Sequence, residues 1–272
     1  MLYLTYNIKQ SDGLGAQYQR LIGIICLAMK YDCQYIHSHI TQMEHIAEPK
    51  QEYLNCIEDY LQIQNHFPVM NDDMHFDSIF YLNTTISEDI LLKYKNMAAT
   101  QNILLIITHA YEMLDKNTKL YEVAMPFLTS IKKNIELPEY HNISYGPKIA
   151  IHIRRGDVSP RSHSDRYIPL GYYQSVINEL LVLYSNAHFF IFTEISPENA
   201  HDFSEFQKTN ANISLKIMPD IDILTTLEYL IKADVLIMCK SSFSYVAGLY
   251  NQNTVYYMDF WHKKVDRWKS IV

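Results

Sequence analysis

Cysteine is scarce in this chain, four residues in 272, and Cys26, Cys33, Cys56 and Cys239 lie without metal-type spacing. That excludes a disulfide framework and a cysteine-ligated zinc module, and leaves free thiols as the reading. Glycine and proline are also few, 7 and 9, which argues for a packed globule rather than a disordered chain. Positive charge is in deficit: 23 Lys and Arg against 30 Asp and Glu give a net charge of -7, which argues against nucleic acid as a partner. Long apolar runs are missing as well. Leu21 to Met29 falls short of the roughly 20 residues a bilayer span needs, and no cleavable signal pattern precedes it. A soluble, cytoplasmic protein without a membrane span is expected, in which sequons at Asn83, Asn142 and Asn212 carry little weight.

What is present is a 48% hydrophobic composition, enough to fill substantial cores. Apolar runs alternate with helix-length segments nearly from end to end, the pattern of β-α units around parallel sheets. In the first half this predicts strands at 2–8, 34–37, 78–82 and 103–108, and helices at 16–30, 52–62, 88–97 and 111–135. In the second half it predicts strands at 148–153, 188–193, 213–218, 235–239 and 254–258, separated by helices at 169–184, 197–208, 223–232 and 243–250. Between Leu137 and Pro147 the residues Pro138, Glu139, His141, Asn142, Ser144 and Gly146 suit a linker. The boundaries that follow are a first α/β domain over 1–140 and a second, Rossmann-like one over 147–272.

Chemistry concentrates at the end of one strand, in Ile151-His152-Ile153-Arg154-Arg155-Gly156-Asp157. Alternation puts His152 and Arg154 on one side and Ile151 and Ile153 on the other, and Gly156 permits a turn most residues would strain. Two guanidiniums at the carboxyl end of a strand suit a diphosphate, because ligands of open α/β sheets bind just beyond that edge. Arg155-Gly156-Asp157 is also the tripeptide of adhesive proteins, but it follows a buried-looking strand rather than capping an exposed loop tip.

Other segments contribute more weakly. Gly13 and Gly15 open the first helix and let backbone amides approach a ligand, with Gln17 and Arg20 one turn on. Ser241, Ser242 and Phe243, after Lys240, follow a strand and open a helix, where serine both caps and contacts phosphate. Asp220-Ile221-Asp222 spells a metal-holding pattern frequent by chance, and an acid before a helix commonly serves as its cap. His37 and His39 are metal-like in spacing but show no third ligand in the sequence.

The ordered set of these segments resembles the inverting fucosyltransferase superfamily of α-1,2-, α-1,6- and protein O-fucosyltransferases, nearest to bacterial-type α-1,2 enzymes. His152 to Asp157 matches the hallmark H-x-R-R-G-D in full. Pro169 to Tyr173, Phe189 to Glu194, Lys240 to Tyr245 and Gly13 to Gln19 are similar to flanking motifs in family order, with Ala16, Tyr245 and Val246 standing where relatives have Asn, Trp and Trp. The resemblance implies a GT-B architecture, two Rossmann-like domains facing across a cleft, with GDP-fucose held mainly by the C-terminal one and no metal or other cofactor required. By the same carry-over, Arg154 binds the diphosphate and His152 contacts the nucleotide. Arg155 and Asp157 support the loop, and Ser241, Ser242 and Phe243 line the phosphate and sugar pocket. Asp222 and Glu228 are rival readers of guanine. Displacing a diphosphate from a sugar makes an oxocarbenium-like transition state with a leaving group of growing charge, so a fixed guanidinium stabilises the transition state more than the ground state. Inversion then needs a glycan hydroxyl and a base, for which Asp165, His163, Asp157 and Asp12 are the candidates. Two other functions fit the same residues: a GT-B transferase using another sugar nucleotide, and a non-catalytic nucleotide- or glycan-binding protein.

Overall fold

A computed structural model describes residues 1–9, 11–44, 50–83, 86–219 and 221–271. The chain forms two compact units, Met1–Asn134 with Trp261–Asp266, and Ile135–Phe260 with Arg267–Val272. No helix among the described residues is long and apolar enough to cross a membrane.

The first unit runs β1 (Leu2–Tyr6), α1 (Leu14–Lys30), β2 (Gln34–Tyr35), α2 (Lys50–Leu61), β3 (Ser78–Leu82), α3 (Glu88–Met97), β4 (Ile103–Ile107), α4 (Tyr111–Lys116) and α5 (Tyr121–Ile131). The four strands pair in parallel in the order β2-β1-β4-β3. The sequence of β4, Ile-Leu-Leu-Ile-Ile, is apolar on both faces, as a central strand covered from both sides requires. β3 lies at an edge and leaves Ile79 and Tyr81 exposed. α1 is buried along most of its length, with Leu21, Ile22, Ile24, Ile25 and Leu27 inaccessible, because it packs on β1 and β2 and also on α5.

The single helix expected over 111–135 is instead two helices joined by a tight turn at Thr118–Leu120. Asn117 leaves the helical region (φ -147°, ψ 86°), and asparagine competes with helix bonds through its own side chain, so periodicity alone overruns the break.

The second unit runs α6 (Pro138–His141), β5 (Lys148–His152), α7 (Leu170–Leu183), β6 (His188–Thr193), α8 (Ala200–Thr209), β7 (Ser214–Pro219), α9 (Ile223–Lys232), β8 (Val235–Ile237), α10 (Ser242–Tyr250), β9 (Thr254–Tyr257) and β10 (Lys269–Ser270). Its strands are parallel in the order β10-β9-β8-β5-β6-β7. The chain moves outward from β5 through β6 and β7, then returns through α9 to β8 on the other side of β5. β5 and β8 therefore flank the point where the strand order reverses, the place where open α/β sheets bind ligands. Ile149, Ile151 and Ile153 point into a core with Phe189, Ile191, Tyr173, Ile177 and Phe203. Each such side chain contributes about 1.5–3 kcal/mol on burial.

Two boundaries differ from the sequence expectation. The 137–147 stretch is not a bare linker: Pro138 opens α6, and Tyr140 packs edge-on against Phe190 and Tyr229 while its hydroxyl donates to Tyr229 O at 3.1 Å. Proline suits the first turn of a helix, so a breaker composition and a short helix coincide here. The division accordingly falls at Asn134/Ile135, before 137–147. Trp261–Asp266, expected within 147–272, belongs to the first unit, where His262 meets the Tyr111 ring at 4.6 Å and Lys263 N donates to Asp115 at 2.9 Å. The strand β10, two residues long, is below what apolar patterning detects.

Candidate active site

The turn after β5 is organised by an ion pair. Arg154 donates from Nε to Asp157 Oδ1 at 3.1 Å and from Nη2 to Asp157 Oδ2 at 2.7 Å. This fork locks the guanidinium plane and leaves its Nη1 donors for an anion. Burial opposes the charge on Arg154, but the bonds and charge of Asp157 outweigh it and raise its pKa. Gly156 makes the turn with φ +75°, and a Cβ there would stand 1.8 Å from Glu194 Oε2. The positive φ is what calls for glycine here, and a Cβ would in addition push aside the flexible Glu194 carboxylate that reaches over from the end of β6. Glu194 is a residue the sequence reading passed over as part of a strand-end similarity; its charge also acts on Arg154.

His152 precedes this turn. Its Nδ1 lies 3.2 Å from Cys239 Sγ, and its ring meets Phe243 edge-on at 5.5 Å. The contact follows from topology, since β5 and β8 pair side by side and Cys239 leaves β8 where His152 ends β5. Burial, aided by the Arg154 charge, pulls the His152 pKa down to about 3, and burial pushes the Cys239 thiol up to about 11. Both groups are neutral near pH 7, so His152 offers a ligand a hydrogen bond rather than a charge.

Arg155 takes the loop-supporting part that the resemblance implies, not that of a second anion ligand. It is 5% exposed, donates to Arg154 O and Ile168 O at 2.8 Å each, and lies over the Tyr167 ring at 4.5 Å. The two guanidiniums read as one anion site therefore divide: Arg154 faces the site and Arg155 faces the interior, where it braces the 156–168 loop. The strand ends at His152, so alternation does not reach this pair; the Ile168 carbonyl and the Tyr167 ring hold Arg155 inward.

The other strand-end contributes α10. Ser241 is its N-cap and accepts from Phe243 N at 3.2 Å; Ser241 and Ser242 are both buried. Lys240 Nζ donates to Asp165 O at 2.9 Å, which ties the loop carrying Asp165 to this junction. The Asp165 side chain is exposed. His163 sits at φ +55° with Nδ1 3.1 Å from Asp157 O.

The two rival acids separate. Asp222 is the exposed N-cap of α9, accepting from Thr225 N at 3.0 Å. Glu228, more than a turn further along, is fully buried and paired with Lys232 at 3.2 Å, away from the carboxyl edge. Asp220, the other half of the metal-like pattern, lies outside the described residues.

Gly13 and Gly15 belong to the first unit, at the start of α1, with Gly13 as its N-cap. Gln17 and Arg20, expected to face a ligand, brace the loop instead. Gln17 Nε2 donates to Asp12 O at 2.8 Å and Gln42 O at 2.7 Å, and Arg20 pairs with Asp12 at 2.8 Å.

No protein-family model and no curated protein matches this chain. Solved structures do. POFUT1 in complex with GDP-fucose is 10% identical over 98% of this chain and 97% of its own, with a TM-score of 0.52. The E. coli heptosyltransferase WaaC with ADP-2-deoxy-2-fluoro heptose is 9% identical over 100% and 93%, with a TM-score of 0.46. The likeness to POFUT1 is one of fold, and the fold is α/β of the GT-B type, with parallel sheets in two Rossmann-like units.

Proposed function

We propose that this chain is an inverting glycosyltransferase that moves fucose from GDP-fucose to a glycan hydroxyl, as the bacterial-type α-1,2 enzymes it resembles do. The observation that carries the reading is Arg154, held in a fork by Asp157 at the topological switch point, with the α10 N-terminus and its buried serines at the neighbouring strand-end. A fixed cation and helix amides are what a leaving diphosphate needs as its charge grows. POFUT1, which shares the fold, was solved with GDP-fucose, and that supports the choice of donor.

In the proposed step the acceptor oxygen bonds to the sugar carbon as the bond from that carbon to the diphosphate oxygen breaks. GDP leaves with the electron pair, and the acceptor proton passes to a carboxylate. Asp165, on the exposed loop held by Lys240, is assigned that role; Asp157 positions Arg154. His152 and Asp222 are assigned to the nucleotide, Asp222 in preference to the buried Glu228. The guanidinium supplies the charge a metal would otherwise supply, so no cofactor is needed for transfer.

Thermal shift with GDP, GDP-fucose, UDP and ADP tests the donor, because a ligand of the folded state raises apparent stability. Guanine nucleotides should shift the transition most; equal shifts for all would remove the guanine assignment. A glycan array with GDP-fucose tests turnover, and GDP binding without transfer would leave a non-catalytic binding protein. Transfer in excess EDTA should be unchanged, whereas loss restored by Mn would return the diphosphate to a metal beside Asp222.

A further inference from the structure

The first unit brings a third ligand to the histidine pair that the sequence left incomplete. His37 Nε2 lies 2.8 Å from Glu58 Oε2, and His39 Nδ1 lies 3.5 Å from the same oxygen. The three ligand atoms fall within 4.8 Å of one another. A tetrahedral zinc ion with bonds of about 2.0–2.1 Å spaces its ligands at roughly 3.3 Å, so these atoms can close on one ion with small side-chain shifts.

The surroundings resemble a ligand shell more than a lone ion pair. His37 is fully buried, and its Nδ1 is 3.2 Å from the Tyr35 hydroxyl, the outer contact that fixes a ligating imidazole with Nε2 toward a metal. Its backbone is held on both sides, N to Pro68 O and O to Met70 N, each at 2.8 Å. Glu58 Oε1 accepts from Ile40 N at 2.8 Å, which leaves Oε2 for the two imidazoles. The His39 side chain, 43% exposed, opens the cluster to solvent on one side. A buried His–Glu pair needs no second imidazole aimed at the same oxygen.

We propose that His37, His39 and Glu58 form a zinc site, with water completing the tetrahedron on the exposed side. The proposal stands independently of the glycosyltransferase reading, since the cluster lies in the first unit and its test reads metal content.

The test is zinc added to chelator-treated full chain, with metal per protein measured after desalting and affinity by competition with a zinc indicator. About one equivalent should be retained with a Kd at or below the micromolar range. His39→Ala, at an exposed position where the fold is preserved, should weaken binding at least about tenfold, and Tyr35→Phe should weaken it by about tenfold through the outer contact. His201→Ala, an exposed histidine on α8, should change nothing. Retention well below one equivalent, or equal affinity in folded His39→Ala protein, would overturn the site.

Discussion

Arg154 concentrates the chemistry of the second unit in one side chain. Lysine keeps the charge but lacks the planar fork that meets Asp157, so Arg154→Lys should fold and lose roughly two to three orders of magnitude in turnover. Arg161→Ala, on the exposed loop, should lose far less; steady-state transfer assays on both variants decide it. Gly156 makes a separate prediction. Ala there meets Glu194 and is strained by its φ, so Gly156→Ala should cost about 1–3 kcal/mol in urea denaturation. Glu194→Ala in the same chain should recover only part of that loss, because it relieves the contact and not the backbone. A full recovery would mean that φ carries no cost. His152 gives the pH dependence. Its pKa is about 6.5 unfolded and about 3 folded, so below pH 6.5 the unfolded chain takes up a proton that the folded chain refuses. Stability conferred by its neutrality is present above pH 6.5 and lost as pH falls toward 3. Denaturation at pH 7 and pH 5 should therefore show a larger loss in the natural protein than in His152→Gln; equal losses would place the His152 pKa near its ordinary value.

Elements explain which serines and acids became caps. Asp222 accepts from the third residue of α9 and is exposed, so Asp222→Ala should cost about 1 kcal/mol in stability. If Asp222 also reads guanine, the same variant should lose the preference for GDP over UDP in thermal shift, which a pure cap would not. Most elements were legible from period alone, with ends displaced by a few residues. α6 and β10 were not. Four residues beginning at a proline, and two residues at a sheet edge, carry too little periodicity to register, and both are held by partners far along the chain.

At the scale of the molecule, the chain supplies the first unit twice, from its start and again at Trp261–Asp266. His262 is almost fully buried against Tyr111 and within 3.6 Å of Asp115. His262→Ala should cost about 1–2 kcal/mol in the first unit. Hydrogen exchange should speed up in α4 and stay unchanged in α7. Uniform acceleration across both units would show that they do not open separately.

The sequence by itself determined that this is a chain of alternating strands and helices in two α/β units, and that a basic turn with a required glycine ends one strand. Those are local properties, set by side-chain period and by the conformations a single residue allows. Only the tertiary structure decided that Arg155 turns inward while Arg154 stays with Asp157, that Cys239 meets His152, that Glu228 is buried with Lys232, and that Glu58 completes the pair His37 and His39. Each of those contacts depends on which strands and helices lie side by side or on how an element is rotated against the core. Strand order and packing are long-range choices that no window of sequence contains.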